Sequence, residues 1–200
     1  MERIGIYGGT FSPPHNGHIH AAKAFFEKMA LDKLMIVPTF IPPHKMRSEM
    51  TAPADRLEMC RLAFSFSSNI EISDLEIKRQ GKSYTSDTLR ALKGEGRHLF
   101  FLCGTDMLLT LDSWHEPEVI FALADIVCVA RENDAQVRNA LEEKAALYRE
   151  RFGARVHILE ISALELSSSE IRADISAQRE WEEKLPSSVA SYIKEKGLYR

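Results

Sequence analysis

The sequence predicts an α/β fold in which helices cover both faces of a mainly parallel sheet. Short apolar runs recur along the chain, without the polar alternation that a half-exposed strand would show. Longer stretches with helical amphipathic periodicity lie between these runs. The chain has 200 residues, of which 44% are hydrophobic and 28% are charged. That composition is ordinary for a globular protein, and the length is sufficient for one hydrophobic core.

Six apolar runs are expected to form strands that are buried on both faces. They are Ile4–Tyr7, Lys33–Pro38, Ile70–Ser73, His98–Cys103, Ile126–Ala130 and Val156–Ile161. Four amphipathic stretches are expected to form helices, and they are His18–Met29, Arg56–Phe66, Ala135–Phe152 and Ser188–Lys196. Alternating strands and helices favour right-handed crossovers. We therefore expect one Rossmann-like, doubly wound domain that spans residues 1–200.

Charge and cysteine content argue against several classes of function. The chain carries 26 basic and 29 acidic residues, for a net charge of −3. No global field attracts nucleic acid or an anionic membrane, so an anionic ligand needs a local positive cluster. Three scattered cysteines argue for a reducing compartment, and against a disulfide framework or structural zinc. With no signal-peptide core and no apolar run near the ~20 residues of a membrane span, we expect a cytoplasmic protein without a membrane partner.

The first predicted strand runs into a glycine-rich turn and then directly into a helix. This segment reads Gly-Gly-Thr-Phe-Ser-Pro-Pro-His-Asn-Gly-His and begins at Gly8. Gly8 and Gly9 let the backbone approach a bulky anion, and the helix start presents free N–H groups to it. His15 and His18 flank Gly17, so both imidazoles can face the same phosphates. A tight turn with two surface histidines is the simpler alternative, but the strand–turn–helix context favours a phosphate site.

This segment resembles the opening of the H-x-G-H nucleotidyltransferases, which share Gly-(Gly/Ser)-Thr/Ser-Phe followed by His-x-Gly-His. The fingerprint G-x-G-x-x-G is absent, so a dehydrogenase is not expected. The resemblance implies that the segment holds ATP and supplies catalytic side chains. The implied ATP-binding residues are Gly8, Gly9, Thr10 and Phe11, and the implied catalytic residues are His15 and His18.

A second motif near the C-terminus resembles the S-S-x-x-x-R phosphate motif of the same family. It reads Ser-Ser-Ser-Glu-Ile-Arg from Ser167 to Arg172. Hydroxyl and N–H groups at a helix start, with an arginine one turn later, can form a second anion clamp. Taken alone, such a segment is more often a capped helix. The resemblance implies that Ser168 and Ser169 bind ATP and that Arg172 neutralises the departing pyrophosphate.

Three further segments resemble bacterial nicotinate-nucleotide adenylyltransferases. Val37–Lys45 is similar to their V-P-x-x-x-P-P-H-K loop, and Gly81–Leu89 contains their S-Y-T-x-D-T-L pattern. Leu102–Asp106, followed by Trp114, is similar to their G-x-D…W region. The resemblance covers nearly the whole chain in family order.

Two positions depart from the family pattern. Ser12 stands where an aspartate is common, and Arg131 is followed by Glu132 and Asn133 rather than Pro-Gly. The family's ligand role is therefore not carried over to Arg131.

The resemblance implies transfer of the adenylyl group of ATP to nicotinate mononucleotide, which yields nicotinate adenine dinucleotide and pyrophosphate. In-line attack by the mononucleotide phosphate needs no enzyme nucleophile, so catalysis depends on positioning and charge stabilisation. Mg²⁺ is expected to bridge phosphate oxygens with few protein ligands, and no metal-binding residue is implied. The remaining implied residues are Lys45 for catalysis, Gly104 and Asp106 for ATP, and Thr85 and Trp114 for nicotinate mononucleotide.

Residues 83–89 predict selectivity for the acid over the amide form of the substrate. Thr85 is expected to be the N-cap of a helix whose free N–H groups favour a carboxylate. Asp87 lies in the same turn, so its carboxylate must point away or be occupied in capping the helix. Trp114 is expected to stack on the pyridine ring.

Several alternatives stay open on the sequence. Thr39–Ala54, which contains three prolines, is either a functional loop or an inert surface excursion. Another H-x-G-H adenylyltransferase, for example one acting on phosphopantetheine, is typically shorter and lacks the P-P-H-K and S-Y-T segments. A non-catalytic nucleotide-binding regulator is disfavoured by the intact His15, His18 and Arg172. The sequence also leaves open whether the protein forms a homo-oligomer.

Overall fold

The computed structural model describes residues 1–43, 51–131, 135–162 and 164–200. The strands are β1 (Glu2–Gly9), β2 (Lys33–Pro38), β3 (Ile70–Ile72), β4 (Arg97–Gly104), β5 (Ala124–Arg131) and β6 (Val156–Ile161). The α-helices are α1 (Asn16–Lys28), α2 (Pro53–Ala63), α3 (Leu75–Arg79), α4 (Thr85–Leu92), α5 (Thr105–Thr110), α6 (Pro117–Leu123), α7 (Ala135–Phe152), α8 (Ser168–Ser176) and α9 (Ser187–Lys196). Lys45 lies outside the described residues.

The strands form one sheet in the order β3-β2-β1-β4-β5-β6, and all neighbouring pairs are parallel. This arrangement confirms the predicted Rossmann-like, doubly wound α/β fold. The chain moves outward from β1 to β2 and β3, and then returns to place β4 on the other side of β1. The carboxyl ends of β1 and β4 therefore form the topological switch point, where ligands bind in open α/β sheets.

Both faces of the sheet are buried, and this explains the uninterrupted apolar runs. Along β4, Phe100 and Leu102 enter the core beneath α1, α2, α8 and α9, whereas Phe101 and Cys103 enter the core beneath α4, α5, α6 and α7. Side chains alternate between the two faces of a strand, so a strand covered on both sides shows no polar alternation.

The sequence pattern locates the long helices within a few residues and does not predict α3, α5 and α6. These three helices have five, six and seven residues, which is too short for a clear helical period. Within the described part of the chain, no helix combines the length and the apolar character that a membrane crossing needs.

Gly5 sets how closely α1 approaches the sheet. A β-carbon at this position would lie 2.3 Å from Cδ1 of Leu31 and 2.8 Å from Cε1 of Phe25. Phe25 belongs to α1 and is fully buried. Because only glycine leaves this space free, Gly5 lets α1 pack against β1 and so places the N-terminus of α1 at the carboxyl edge of the sheet.

Candidate active site

Two cavities open at the carboxyl ends of the strands and share one wall. The first, of about 750 Å³, lies between the end of β1, the starts of α1 and α8, and the end of β4. The second, of about 460 Å³, lies toward β2 and is lined by residues 82–85 and 113–115. Gly8, Gly9 and Thr10 line both cavities. The glycine-rich turn that the sequence identified therefore lines the place where two ligand-sized spaces meet.

The conformation of this turn requires glycine at position 9. Phe11 has a φ of 48°, in the left-handed region, and its buried ring folds back beneath the turn. A β-carbon on Gly9 would lie 2.9–3.1 Å from that ring. Phe11 also packs edge-on against His18, with 5.2 Å between ring centroids. The turn thus positions one of the two motif histidines as well as the backbone that lines both cavities.

His15 and His18 lie with their rings almost in contact at the start of α1. Their ring centroids are 3.7 Å apart, and the planes differ by 31°. The backbone N–H of His15 donates to Nδ1 of His18 at 3.1 Å. Because that nitrogen accepts, the proton of a neutral His18 imidazole is on Nε2. Both rings line the first cavity, as the sequence predicts for a pair that faces one anion.

Burial keeps both imidazoles neutral at physiological pH. Desolvation lowers the pKa of His15 to about 4. Desolvation, together with the neighbouring His15, holds the pKa of His18 well below its ordinary value. Nδ1 of His15 is buried without a hydrogen-bond partner in the described structure. The pair therefore offers neutral N–H donors in a dry setting, where a hydrogen bond to a developing negative charge is strong.

The start of α8 is tied to the loop that follows the glycine turn. Ser168 donates its hydroxyl proton to the carbonyl oxygen of Pro13 at 2.9 Å. Arg172 donates from Nη1 to the carbonyl oxygen of Ser12 at 2.7 Å and from Nη2 to Oγ of Ser169 at 3.1 Å. The three predicted residues of α8 line the first cavity. The two motifs, about 150 residues apart in the sequence, therefore meet at one cavity.

The residue before these two serines is the helix cap. Oγ of Ser167 accepts a hydrogen bond from the backbone N–H of Ser169 at 3.2 Å. The capped-helix alternative is therefore correct for this segment, which also lines the first cavity.

The end of β4 supplies the opposite side of the first cavity. Gly104 occupies the position before α5, and Asp106 lies in the first turn of that helix. Both residues are exposed and line the cavity. A carboxylate at this edge is suited to paired ribose hydroxyls, which is the role that the family resemblance implies for it.

The second cavity contains both residues that the resemblance assigns to nicotinate mononucleotide, Thr85 and Trp114. The predicted N-cap role of Thr85 is wrong by one residue. The first turn of α4 closes with the N–H of Thr88 donating to the carbonyl oxygen of Tyr84 at 3.2 Å, so Tyr84 is the N-cap and Thr85 is the first helical residue. The carboxylate of Asp87 forms an ion pair with Arg90 at 3.5 Å, rather than the capping contact that the sequence analysis allowed for.

Sequence reasoning missed the contacts that hold Trp114 in place. Nη1 and Nη2 of Arg90 donate to the two carboxylate oxygens of Glu116 at 2.6 and 2.8 Å. The rings of Tyr84 and His115 stack with 4.2 Å between centroids. Trp114 itself is half-buried, edge-on to a β4 phenylalanine. The only local signal for this arrangement is Pro117, which marks a helix start just after Glu116.

Glu76, on α3, is a second residue that the sequence did not identify. It is 5% exposed and lines the second cavity. Thr88 donates to its Oε1 at 2.6 Å, whereas its Oε2 is buried without a partner in the described structure. Burial raises the pKa of this carboxyl group. It packs beneath the first turn of α4 and supports the wall that Thr85 belongs to.

The family model described as "Cytidylyltransferase-like" matches residues 6–174 of this chain. A "Probable nicotinate-nucleotide adenylyltransferase" of Desulfitobacterium hafniense (strain Y51) is 38% identical over 201 residues, covering 100% of this chain and 96% of the relative. A protein of the same name from Neisseria meningitidis serogroup B (strain ATCC BAA-335 / MC58) is 35% identical over 201 residues, covering 100% and 99%.

Similar folds occur among solved structures. "Plasmodium falciparum nicotinic acid mononucleotide adenylyltransferase complexed with NaAD" has a TM-score of 0.79 and 20% identity, and the match covers 100% of this chain and 98% of that one. At this identity the likeness supports the fold, while the full-length sequence relatives establish the family. The chain therefore belongs to the cytidylyltransferase-like family and, within it, to the nicotinate-nucleotide adenylyltransferases.

Proposed function

We propose that this enzyme transfers the adenylyl group of ATP to nicotinate mononucleotide, with release of pyrophosphate. One observation carries the proposal: two cavities meet at the shared wall of Gly8, Gly9 and Thr10. Two substrates bound in these cavities would bring their reacting phosphates together beside this turn, with nothing between them, as an in-line displacement needs. The names of the full-length relatives support the same reaction.

ATP would occupy the first cavity, with its phosphates against the glycine turn and the start of α1. Nε2–H of His18 would donate to the α-phosphate as negative charge develops there, and His15 would serve the neighbouring phosphates. Arg172 would neutralise the departing pyrophosphate, and we assign the same role to Lys45 from its motif. Because the enzyme forms no covalent bond, these donors lower the barrier by positioning and charge stabilisation alone.

The remaining ATP-binding residues complete this placement. The ribose hydroxyls would bind Asp106 beside Gly104. The backbone of Thr10 and Phe11 would face the phosphates, together with Ser168 and Ser169 at the start of α8. Since the hydroxyl of Ser168 already donates its proton to the carbonyl oxygen of Pro13, it could donate to a phosphate only after rotating away from that carbonyl, and its backbone N–H is the more readily available donor.

Nicotinate mononucleotide would occupy the second cavity. Trp114 would stack on the pyridine ring and hold its carboxylate toward the start of α4, where Thr85 contributes its backbone N–H and hydroxyl groups. The ion pair between Asp87 and Arg90 offsets only part of the negative charge near this position, because Arg90 also pairs with Glu116 at 2.6 Å.

ATP would enter as its Mg²⁺ complex, with the ion held mainly by phosphate oxygens and water. Among the residues that the structure describes, no group of three or more His, Cys, Asp or Glu side chains is arranged to hold a metal ion. The bound ion would offset the phosphate charge and help pyrophosphate to leave.

We place the reaction in the cytoplasm. Cys60, Cys103 and Cys128 are free thiols, which is typical of a protein kept in a reducing compartment. Cys103 and Cys128 lie directly opposite each other on β4 and β5, and both are buried.

The test is a pyrophosphate-release assay with ATP and Mg²⁺ over three second substrates: nicotinate mononucleotide, nicotinamide mononucleotide and phosphopantetheine. We expect release with nicotinate mononucleotide, together with a product of the mass of nicotinate adenine dinucleotide. Release only with phosphopantetheine would establish the other transferase. ATP binding without release over the whole panel would establish a non-catalytic regulator.

A further inference from the structure

Arg56 is the largest fully buried side chain of the protein. It lies in the first turns of α2, and its exposed fraction is 0%. Its guanidinium group lines neither cavity. A charged side chain in such a position is rare unless its hydrogen bonds and its charge are both compensated.

Three segments of the chain compensate the hydrogen bonds. Nη1 donates to the carbonyl oxygen of Thr10 at 2.8 Å, Nη2 to that of Phe40 at 3.2 Å, and Nε to that of Thr51 at 3.1 Å. Thr10 lines both cavities, and Phe40 follows β2 at the second cavity. The hydroxyl of Thr51 also lies 3.2 Å from that of Ser12, which follows the glycine turn.

The charge of Arg56 is not compensated in the same way. All three acceptors are neutral carbonyl groups, and no carboxylate in the described ranges forms an ion pair with the guanidinium group. The acidic groups whose fields reach Arg56 are Cys60, Tyr199 and Glu76. Burial raises the pKa of all three groups, which favours their neutral forms. A buried charge of this kind acts over a longer distance than an exposed one, because water does not screen it.

We propose that Arg56 is a positioning residue for both substrates, which fixes the Thr10 wall against the end of β2 and supplies the buried positive charge that the substrate phosphates neutralise. The inference rests on the proposed adenylyl transfer. It explains why a cation is retained beside a turn that faces phosphates: the anionic ligands supply the counter-charge that no carboxylate among the described residues places in contact with Arg56.

Two variants separate the two parts of this role. Arg56→Lys keeps the charge but loses the three-way geometry, so we expect kcat to fall about 10- to 100-fold, while the KM values for ATP and nicotinate mononucleotide change less than about threefold. Arg56→Met also removes the charge, so we expect the same loss in kcat with both KM values raised about tenfold or more. A rise in the KM values of both ATP and nicotinate mononucleotide is expected because the turn that Arg56 holds lines both cavities.

Arg61→Met is the matched control. Arg61 lies on the same helix, and its side chain is 53% exposed and paired with Glu58 at 3.0 Å. We expect its kinetic constants to equal those of the wild type. All assays are run well below the thermal midpoint of each variant, so that a loss of stability is not read as a loss of activity.

The outcomes are distinct. A wild-type kcat in Arg56→Lys, or a lowered thermal midpoint as its sole defect, would overturn the inference and leave Arg56 as a structural residue.

If Arg56→Met is folded, wild-type KM values for both substrates, or a change confined to one of them, would overturn the charge coupling. If Arg56→Met does not fold, the kcat and KM of Arg56→Lys decide the positioning role. An inactive wild type contradicts the proposed function itself, and with it this inference.

Discussion

Arg90 and Glu116 form a two-point ion pair, with both guanidinium nitrogens within 2.8 Å of the two carboxylate oxygens. Arg90 belongs to α4, and Glu116 lies two residues after Trp114 with a left-handed φ of 52°. Bidentate pairing fixes orientation as well as distance. Together with the stacked rings of Tyr84 and His115, this ion pair therefore connects α4 to the segment that carries Trp114.

Removal of the Glu116 charge is expected to loosen Trp114. Arg90 lowers the pKa of Glu116 to about 2, so the pair is ionised throughout the physiological range. In Glu116→Gln we expect the KM for nicotinate mononucleotide to rise about 3- to 10-fold, with the KM for ATP unchanged, since a bidentate pair becomes a weaker neutral contact. The measurement is steady-state kinetics with each substrate varied in turn.

Glu142→Gln is the control for that experiment, because Glu142 forms an exposed ion pair with Arg138 on α7. Equal KM values for nicotinate mononucleotide in Glu116→Gln and Glu142→Gln would show that the Arg90 pair does not position Trp114.

The wild type is expected to prefer the acid over the amide form of its substrate. Charge-assisted hydrogen bonds contribute about 1.5–3 kcal/mol, so kcat/KM for nicotinate mononucleotide should exceed that for nicotinamide mononucleotide by roughly 10- to 100-fold or more. Trp114→Ala should lower kcat/KM for both substrates, because the ring loses its stacking partner. Equal wild-type values would rule out acid recognition at α4, whereas an unchanged Trp114→Ala would rule out stacking alone.

His18→Ala is expected to lower kcat far more than it weakens ATP binding. The Nε2–H group acts mainly on charge that develops in the transition state, and loss of one such donor costs about 10²–10³-fold in rate. The measurement pairs steady-state kinetics with ATP affinity by calorimetry. A folded variant with near-normal kcat would remove His18 from the mechanism.

Acidification is expected to destabilise the ligand-free enzyme through His15. The pKa of His15 is about 4 in the folded protein and 6.5 in a model peptide. Between these values the unfolded chain binds the extra proton and the folded protein does not, so the free energy of unfolding falls as pH is lowered from 6.5 toward 4. Urea denaturation across this range should show a smaller fall for His15→Gln than for the wild type. Parallel curves would contradict the proton linkage.

Local features were predictable because their geometry depends on a few neighbouring residues. The spacing of His15 and His18 places both rings at one helix start, whatever the rest of the chain does. The apolar runs identify strands covered on both faces, since no polar side of the sheet remains. The observed N-cap of α4, Tyr84, precedes the predicted one, Thr85, by one residue. The cap pattern at Thr85 does not reveal that the carbonyl of Tyr84 already closes the first helical turn.

The sequence by itself predicted the fold class, the glycine-rich turn before α1 and a minority of the residues that line the two cavities. Tertiary structure alone decided which distant groups touch: Arg172 with Ser12, Arg56 with Thr10, and Arg90 with Glu116. These partners are 160, 46 and 26 residues apart. Local propensity carries no information about such pairs, because their contact depends on the strand order and on where each helix crosses the sheet.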